Sequence, residues 1–178
     1  MQDLIVDFLR RTKNFVLRYK IIIAFSYAGI LTVFLLFSLF YRPVVVSGSS
    51  MLPTLTNNET VFIKRNVGIN DIHRGDIIVF YSPLDHNKLL IKRVIALPDD
   101  TVAIVNGDVY VNGKLLQENY LNGVKSHETI PLLRVPPKSF FVLGDNRVIS
   151  SDSREFGCVR FESVYGKLVF TGEETPTK

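Results

Sequence analysis

The sequence predicts a mainly β protein: one N-terminal transmembrane helix, then an antiparallel β-sheet domain of barrel-like curvature. Three observations predict it. The run from Ile21 to Tyr41 holds 21 uncharged residues. After Arg42 the apolar residues fall into short stretches bounded by turn formers, with no helical periodicity sustained over several turns. Two Asn-Gly pairs then punctuate the middle of the chain in the manner of tight hairpins. A length of 178 residues allows one ordinary domain plus a short extra segment and excludes a large multidomain enzyme. A hydrophobic fraction of 47%, with 13 Phe and 7 Tyr, excludes a disordered chain. The lone Cys158 excludes an internal disulfide or a Cys-rich metal framework.

Residues 1–20 form a basic segment in which Arg10, Arg11, Lys13, Arg18 and Lys20 face only Asp3 and Asp7, a net charge of +3. Residues 21–41 follow as the span, since a helical rise of ~1.5 Å per residue carries them across a ~30 Å hydrocarbon core. Ser26, Thr32 and Ser38 are tolerated there because a small hydroxyl can bond back to its own helix, as is Gly29, and Tyr41 suits the interface. Five basic residues before the span against Arg42 just after it place the N-terminus in the cytoplasm. The body, 42–178, is then extracytoplasmic, on a plasma or thylakoid membrane. A cleaved secretory signal is the competing reading. Against it, the run is longer than the apolar stretch of such signals, and Arg42-Pro43-Val44-Val45-Val46 follows in place of a small-x-small cleavage site. The body carries 16 basic and 15 acidic residues, which excludes the basic footprint of a nucleic-acid binder.

Strands are expected at 60–64, 76–82, 89–96, 101–105, 108–112, 114–117, 140–143 and 165–170. Asn106-Gly107 and Asn112-Gly113 would turn a meander over 101–117, because both central positions of a tight hairpin need positive φ. Asn122-Gly123, Pro131 and Pro136-Pro137 mark 119–138 as loop. The polar end, 171–178, reads as a frayed tail.

Lys92 stands in Leu89-Leu90-Ile91-Lys92-Arg93-Val94-Ile95, where five of seven residues are aliphatic. Alternation puts it on the face of Leu90 and Val94, with Arg93 on the face of Ile91 and Ile95. A buried lysine tends to shed its proton and so becomes a usable base. A snorkelling or edge-strand lysine with its head in water fits the same residues. Ser50 lies in Ser47-Gly48-Ser49-Ser50-Met51-Leu52-Pro53-Thr54, a tight non-repetitive stretch that reads either as a nucleophile awaiting a base or as a Ser-rich juxtamembrane linker. The segment 143–154 packs Asp145, Asp152, Arg147, Arg154, Asn146 and three serines together, either to orient a base or as a surface loop. His73, His86 and His127 have no metal-ligand spacing; a Ser–His pair stays open, because triad partners meet in space. Cys158 suits packing better than nucleophilic attack.

Taken in order, these boxes resemble the type I signal peptidases of bacteria. The resemblance spans most of residues 1–170. It rests on the basic start and span, Gly48-Ser49-Ser50-Met51-Leu52-Pro53-Thr54-Leu55, Arg74-Gly75-Asp76-Ile77-Ile78-Val79-Phe80, Ile91-Lys92-Arg93-Val94-Ile95 and Gly144-Asp145-Asn146-Arg147 with 150–154. It implies a serine endopeptidase with a Ser–Lys dyad that removes signal peptides from exported preproteins after small residues, through an acyl-enzyme and with no metal, nucleotide or other cofactor. Ser50 would be the nucleophile, Lys92 the general base and Ser150 the hydroxyl that orients the lysine. Arg93–Asp145 and Asp152–Arg154 would be structural ion pairs, and Val46, Leu90 and Ile91 would wall the pockets for small side chains. Many relatives supply an oxyanion donor from a serine two residues before the nucleophile. That place is Gly48 here, so the Ser50 N–H is expected to serve together with a second donor that is either a backbone group, that of Gly48, or a bound water. The chain also has Ala96 and Asp99 where relatives commonly carry glycine, and Val148-Ile149 where a more polar pair is common. Holding enzyme and substrate in one lipid bilayer would raise their effective concentration. Two other readings are a soluble serine–lysine protease such as a self-cleaving repressor, against which the span argues, and a membrane-tethered β module that binds without catalysis, against which the retained Ser50 and Lys92 argue.

Overall fold

The structure is a computed structural model that describes residues 2–121, 123 and 125–171, with side chains described between 18 and 169. It divides into two units, 1–40 and 41–178. The first is one helix, α1 (Gln2–Phe40), of which Arg18–Phe40 contains an 18-residue stretch of mean hydropathy 2.3 and no buried residue. Its polar side chains close on their own backbone: Ser26 donates to the Ile22 carbonyl at 2.9 Å, Thr32 to Ala28 at 2.8 Å and Ser38 to Leu35 at 2.8 Å. Such bonds let hydroxyls sit in hydrocarbon. Helical backbone continues through most of the basic segment, and Tyr41, expected to close the span, is the first residue of a strand.

The second unit contains β1 (Tyr41–Val45), β2 (Thr60–Lys64), β3 (Ile77–Tyr81), β4 (Leu89–Ala96), β5 (Thr101–Val105), β6 (Asp108–Val111), β7 (Lys114–Leu115), β8 (Ile130–Arg134), β9 (Ser139–Leu143), one helical turn α2 (Ser153–Phe156), β10 (Val159–Arg160) and β11 (Val164–Thr171). A seven-stranded sheet runs β1-β2-β11-β3-β4-β9-β10 and a four-stranded sheet β7-β6-β5-β8. Every pairing is antiparallel.

The hairpin turns form where the Asn-Gly pairs predict them, with φ of 49° and 85° at Asn106-Gly107 and 52° and 75° at Asn112-Gly113. Asp99 takes the left-handed conformation, φ 68°, in place of a glycine. Ala96 sits at an irregularity of the β4–β9 pairing, with its methyl fully buried beside Val102 and Phe141.

The stretch 119–138 is not all loop. Pro131 lies inside β8, which among the described residues is an edge strand paired with β5 alone, and a proline is tolerated where the missing N–H would face outward. Pro43 likewise sits in the unpredicted edge strand β1. The short elements α2 and β10 were not expected either, because two to four residues carry no periodicity. Asn122 and the tail 172–178 lie outside the described residues.

β4 matters most for function. It lies between β3 and β9, with Leu90 and Val94 packed among Ile78, Phe80 and Val142, and Ile91 packed against Val46, Met51 and Val79. A strand covered on both faces holds polar side chains away from water, so Lys92 is 3% exposed. The edge-strand reading of that lysine is thereby excluded.

Candidate active site

Ser50 precedes a compact turn that its own core residues anchor. Met51 and Leu55 are buried, the Leu55 N–H donates to the Met51 carbonyl at 3.0 Å, and the Leu52 N–H donates to Ser49 at 3.2 Å. The segment after β9 braces this turn from behind. Asn146 donates its backbone N–H to the Ser50 carbonyl at 3.0 Å and its side-chain amide to the Ser49 carbonyl at 3.2 Å. Gly144 lies against the same carbonyl, and a Cβ placed on it would fall 2.6 Å from Ser50 O and 2.1 Å from Ser150 Oγ. Only glycine fits there.

Lys92 reaches this turn from β4. Its Nζ stands 2.7 Å from Ser50 Oγ and donates to the Ile91 carbonyl at 2.8 Å. Burial lowers its pKa from 10.5 to about 8, outweighing the opposite pull of the Asp152 and Asp145 carboxylates, while Lys88 lowers it further. A neutral amine keeps a lone pair that can accept the Ser50 hydroxyl proton along the 2.7 Å contact. Such an arrangement can make a nucleophile from a group inert by itself.

The expected ion pairs form around the two residues. Arg93 grips Asp145 with two bonds, Nε to Oδ1 at 2.8 Å and Nη2 to Oδ2 at 2.6 Å, both side chains nearly buried. Removing one partner of such a pair costs about 3–5 kcal/mol, because the other is left charged and buried. Asp152 is fully buried and receives Arg154 through Nε at 2.8 Å and Nη2 at 2.9 Å; it also accepts the Gly144 N–H at 3.0 Å and caps α2.

A cleft of about 430 Å³ opens over Ser50 and Lys92. Val46, Leu90 and Ile91 all line it, joined by Leu89, Lys88 and Ile149.

Two assignments change. Ser150 does not orient the lysine in this structure: its Oγ is buried without a hydrogen-bond partner, and the Ile91 carbonyl takes the second place on Nζ. Gly48 is not a free oxyanion donor, because its N–H is spent on Asn57 Oδ1 at 2.8 Å, from a backbone at φ 93°. Among the described residues no hydrogen bond uses the Ser50 N–H. No histidine approaches the pair. His73 lies 3.7 Å from Asp76, His86 lines a separate cleft, and His127 is exposed. Cys158 packs beside the core, and burial pushes its thiol pKa up.

The sequence reading assigned no role to Thr54, Glu118 or Tyr120, and to Asn146 and Arg147 only a shared place in a polar segment able to orient a base. Thr54 Oγ1 donates to Asp145 Oδ2 at 2.5 Å and accepts from Arg93 Nη2 at 3.2 Å. Thr54, Asn146 and Arg147 lie inside quoted boxes, and that adjacency was the available signal. Glu118 and Tyr120 lie in a stretch without one.

Comparison with known proteins bears on this geometry. The family described as signal peptidase, peptidase S26, matches residues 18–172. The chain belongs to that family. The peptidase is 41% identical over 140 residues to signal peptidase I of Bacillus caldolyticus, covering 71% of this chain and 76% of that one. It is 36% identical over 155 residues to signal peptidase I P of Bacillus subtilis subsp. natto, covering 80% and 83%. Its fold is similar to the crystal structure of a signal peptidase I from Enterococcus faecalis V583, with a TM-score of 0.50 and 36% identity, covering 55% of this chain and 97% of the other. Membership carries the activity of the family, removal of signal peptides from preproteins.

Proposed function

We propose that the peptidase cuts preproteins with Ser50 as nucleophile and Lys92 as general base, through an acyl-enzyme. The carrying observation is the 2.7 Å contact between Ser50 Oγ and an Nζ on a side chain 3% exposed. As Oγ attacks the scissile carbonyl, the neutral amine takes its proton. The resulting ammonium then returns that proton to the leaving amine, and a water activated the same way releases the acyl group. The Ser50 N–H is the donor placed for the developing oxyanion. The aliphatic wall of Val46, Leu90 and Ile91 suits small side chains before the cleavage site. None of these steps calls on a cofactor.

α1 would anchor the enzyme in the lipid bilayer as a single-pass protein, with the N-terminus cytoplasmic and residues 42–178 extracytoplasmic. The uncharged run from residue 21 to the helix end at Phe40 and its self-satisfied hydroxyls support this.

Incubation of the purified full chain with a preprotein bearing an Ala-x-Ala site tests the reading. Ser50→Ala and Lys92→Met are each expected to abolish cleavage while near-native circular dichroism is retained. Full activity in either folded variant overturns it.

A further inference from the structure

We propose that Glu118 and Tyr120 are positioning residues for the Ser50–Lys92 pair, one loop that holds both the arginine beside the base and the arginine behind the nucleophile. The inference rests on the Ser–Lys reading and goes beyond it.

The loop follows β7, on the smaller sheet. Glu118 and Arg147 form a two-pronged pair, Nη1 to Oε2 at 3.0 Å and Nη2 to Oε1, with side chains 6% and 2% exposed. A guanidinium cannot shed its charge, so Arg147 stays in the interior only while a carboxylate faces it. From there its Nε donates to the Gly144 carbonyl at 3.1 Å. Gly144 and Asn146, on either side in sequence of Asp145, are the residues that touch the Ser50 carbonyl. Holding Arg147 therefore holds the surface on which the nucleophile turn rests.

The other half of the loop addresses β4. The Tyr120 hydroxyl donates to Glu118 Oε1 at 2.7 Å, and its ring lies 4.0 Å from the Arg93 guanidinium carbon. Arg93 follows Lys92 on the strand and is fixed on its far side by Asp145. A cation over an aromatic face is attracted most strongly where water is excluded. Neither Glu118 nor Tyr120 lines the cleft above Ser50, so the pair acts on the placement of the dyad and not on substrate.

The experiment uses the full chain in detergent with an Ala-x-Ala preprotein. Glu118→Gln is expected to lower kcat about 10- to 100-fold with KM within about 2-fold, the signature of misplaced reacting groups. Placed on an Arg147→Met background, Glu118→Gln is expected to add no further loss, because its effect runs through Arg147. Tyr120→Phe keeps the ring and deletes one bond, for a smaller fall in kcat of about 3-fold. A folded Glu118→Gln with unchanged kcat, a loss carried by KM alone, or a full additive loss on the Arg147→Met background overturns the proposal. If Glu118→Gln does not fold, Tyr120→Phe decides, and unchanged kcat there overturns it. Ser50→Ala in parallel separates the two readings: activity in that variant overturns the Ser–Lys assignment, whereas an inactive Ser50→Ala beside a fully active Glu118→Gln overturns only the positioning role.

Discussion

Because burial brings the Lys92 pKa down from 10.5 to about 8, the folded chain releases that proton earlier than the unfolded chain does. Between pH 8 and 10.5 the unfolded state binds more protons, so stability rises with pH through this window, and the full penalty applies below pH 8. Its size is about 3 kcal/mol. Lys92→Met should therefore be more stable than the parent at pH 6–7, with the gap narrowing from pH 8 to 10.5 in urea titrations; a gap independent of pH would contradict a desolvated amine. The same ionisation predicts a kcat/KM that climbs tenfold per pH unit below about 8 and levels above it, read from initial rates. Gly144→Ala is the steric counterpart. With 2.6 Å to Ser50 O and 2.1 Å to Ser150 Oγ, the added methyl must displace one side of the site, and kcat should fall by about 10²-fold or more. A near-normal kcat would mean that the turn yields at little cost.

Elements show where the chain was legible and where it was not. β4 could be read at both ends, Leu89–Ala96, because eight residues of aliphatic strand have no rival pattern. The two Asn-Gly turns were legible because positive φ is a local demand. β1 and β8 were missed for one shared reason: Pro43 and Pro131 read as breakers, and only the sheet order shows that both strands lie at an edge. Ser50 and Lys92 were legible through their boxes. Glu118, the unpartnered Ser150 hydroxyl and the Gly48–Asn57 bond were not, since each depends on which loops meet. Asn112 tests the separation between scaffold and site. It takes φ 52°, accepts the Thr101 N–H at 2.8 Å and donates to Asp100 Oδ1 at 2.7 Å. Asn112→Ala should cost about 1–2 kcal/mol in thermal or urea unfolding and leave kcat/KM intact. A comparable loss of activity would show that the smaller sheet communicates with the cleft through this turn.

For the whole molecule, the division at Phe40 and Tyr41 gives a truncation its proper boundary. Residues 41–178 retain β1, which covers the outer edge of β2, whereas a start at Val46 exposes that edge to other chains. The longer fragment should remain monodisperse in size-exclusion chromatography and cleave a short Ala-x-Ala peptide, while the shorter one should aggregate. Equal behaviour would mean that β1 is dispensable. The lysine amine also governs the heat of folding. Refolding at pH 9 expels close to one proton from Lys92 into the medium. The calorimetric enthalpy measured there will accordingly depend on whether Tris or borate absorbs it, by the difference between the two buffers' ionisation heats less the share that the buried Cys158 thiol takes back.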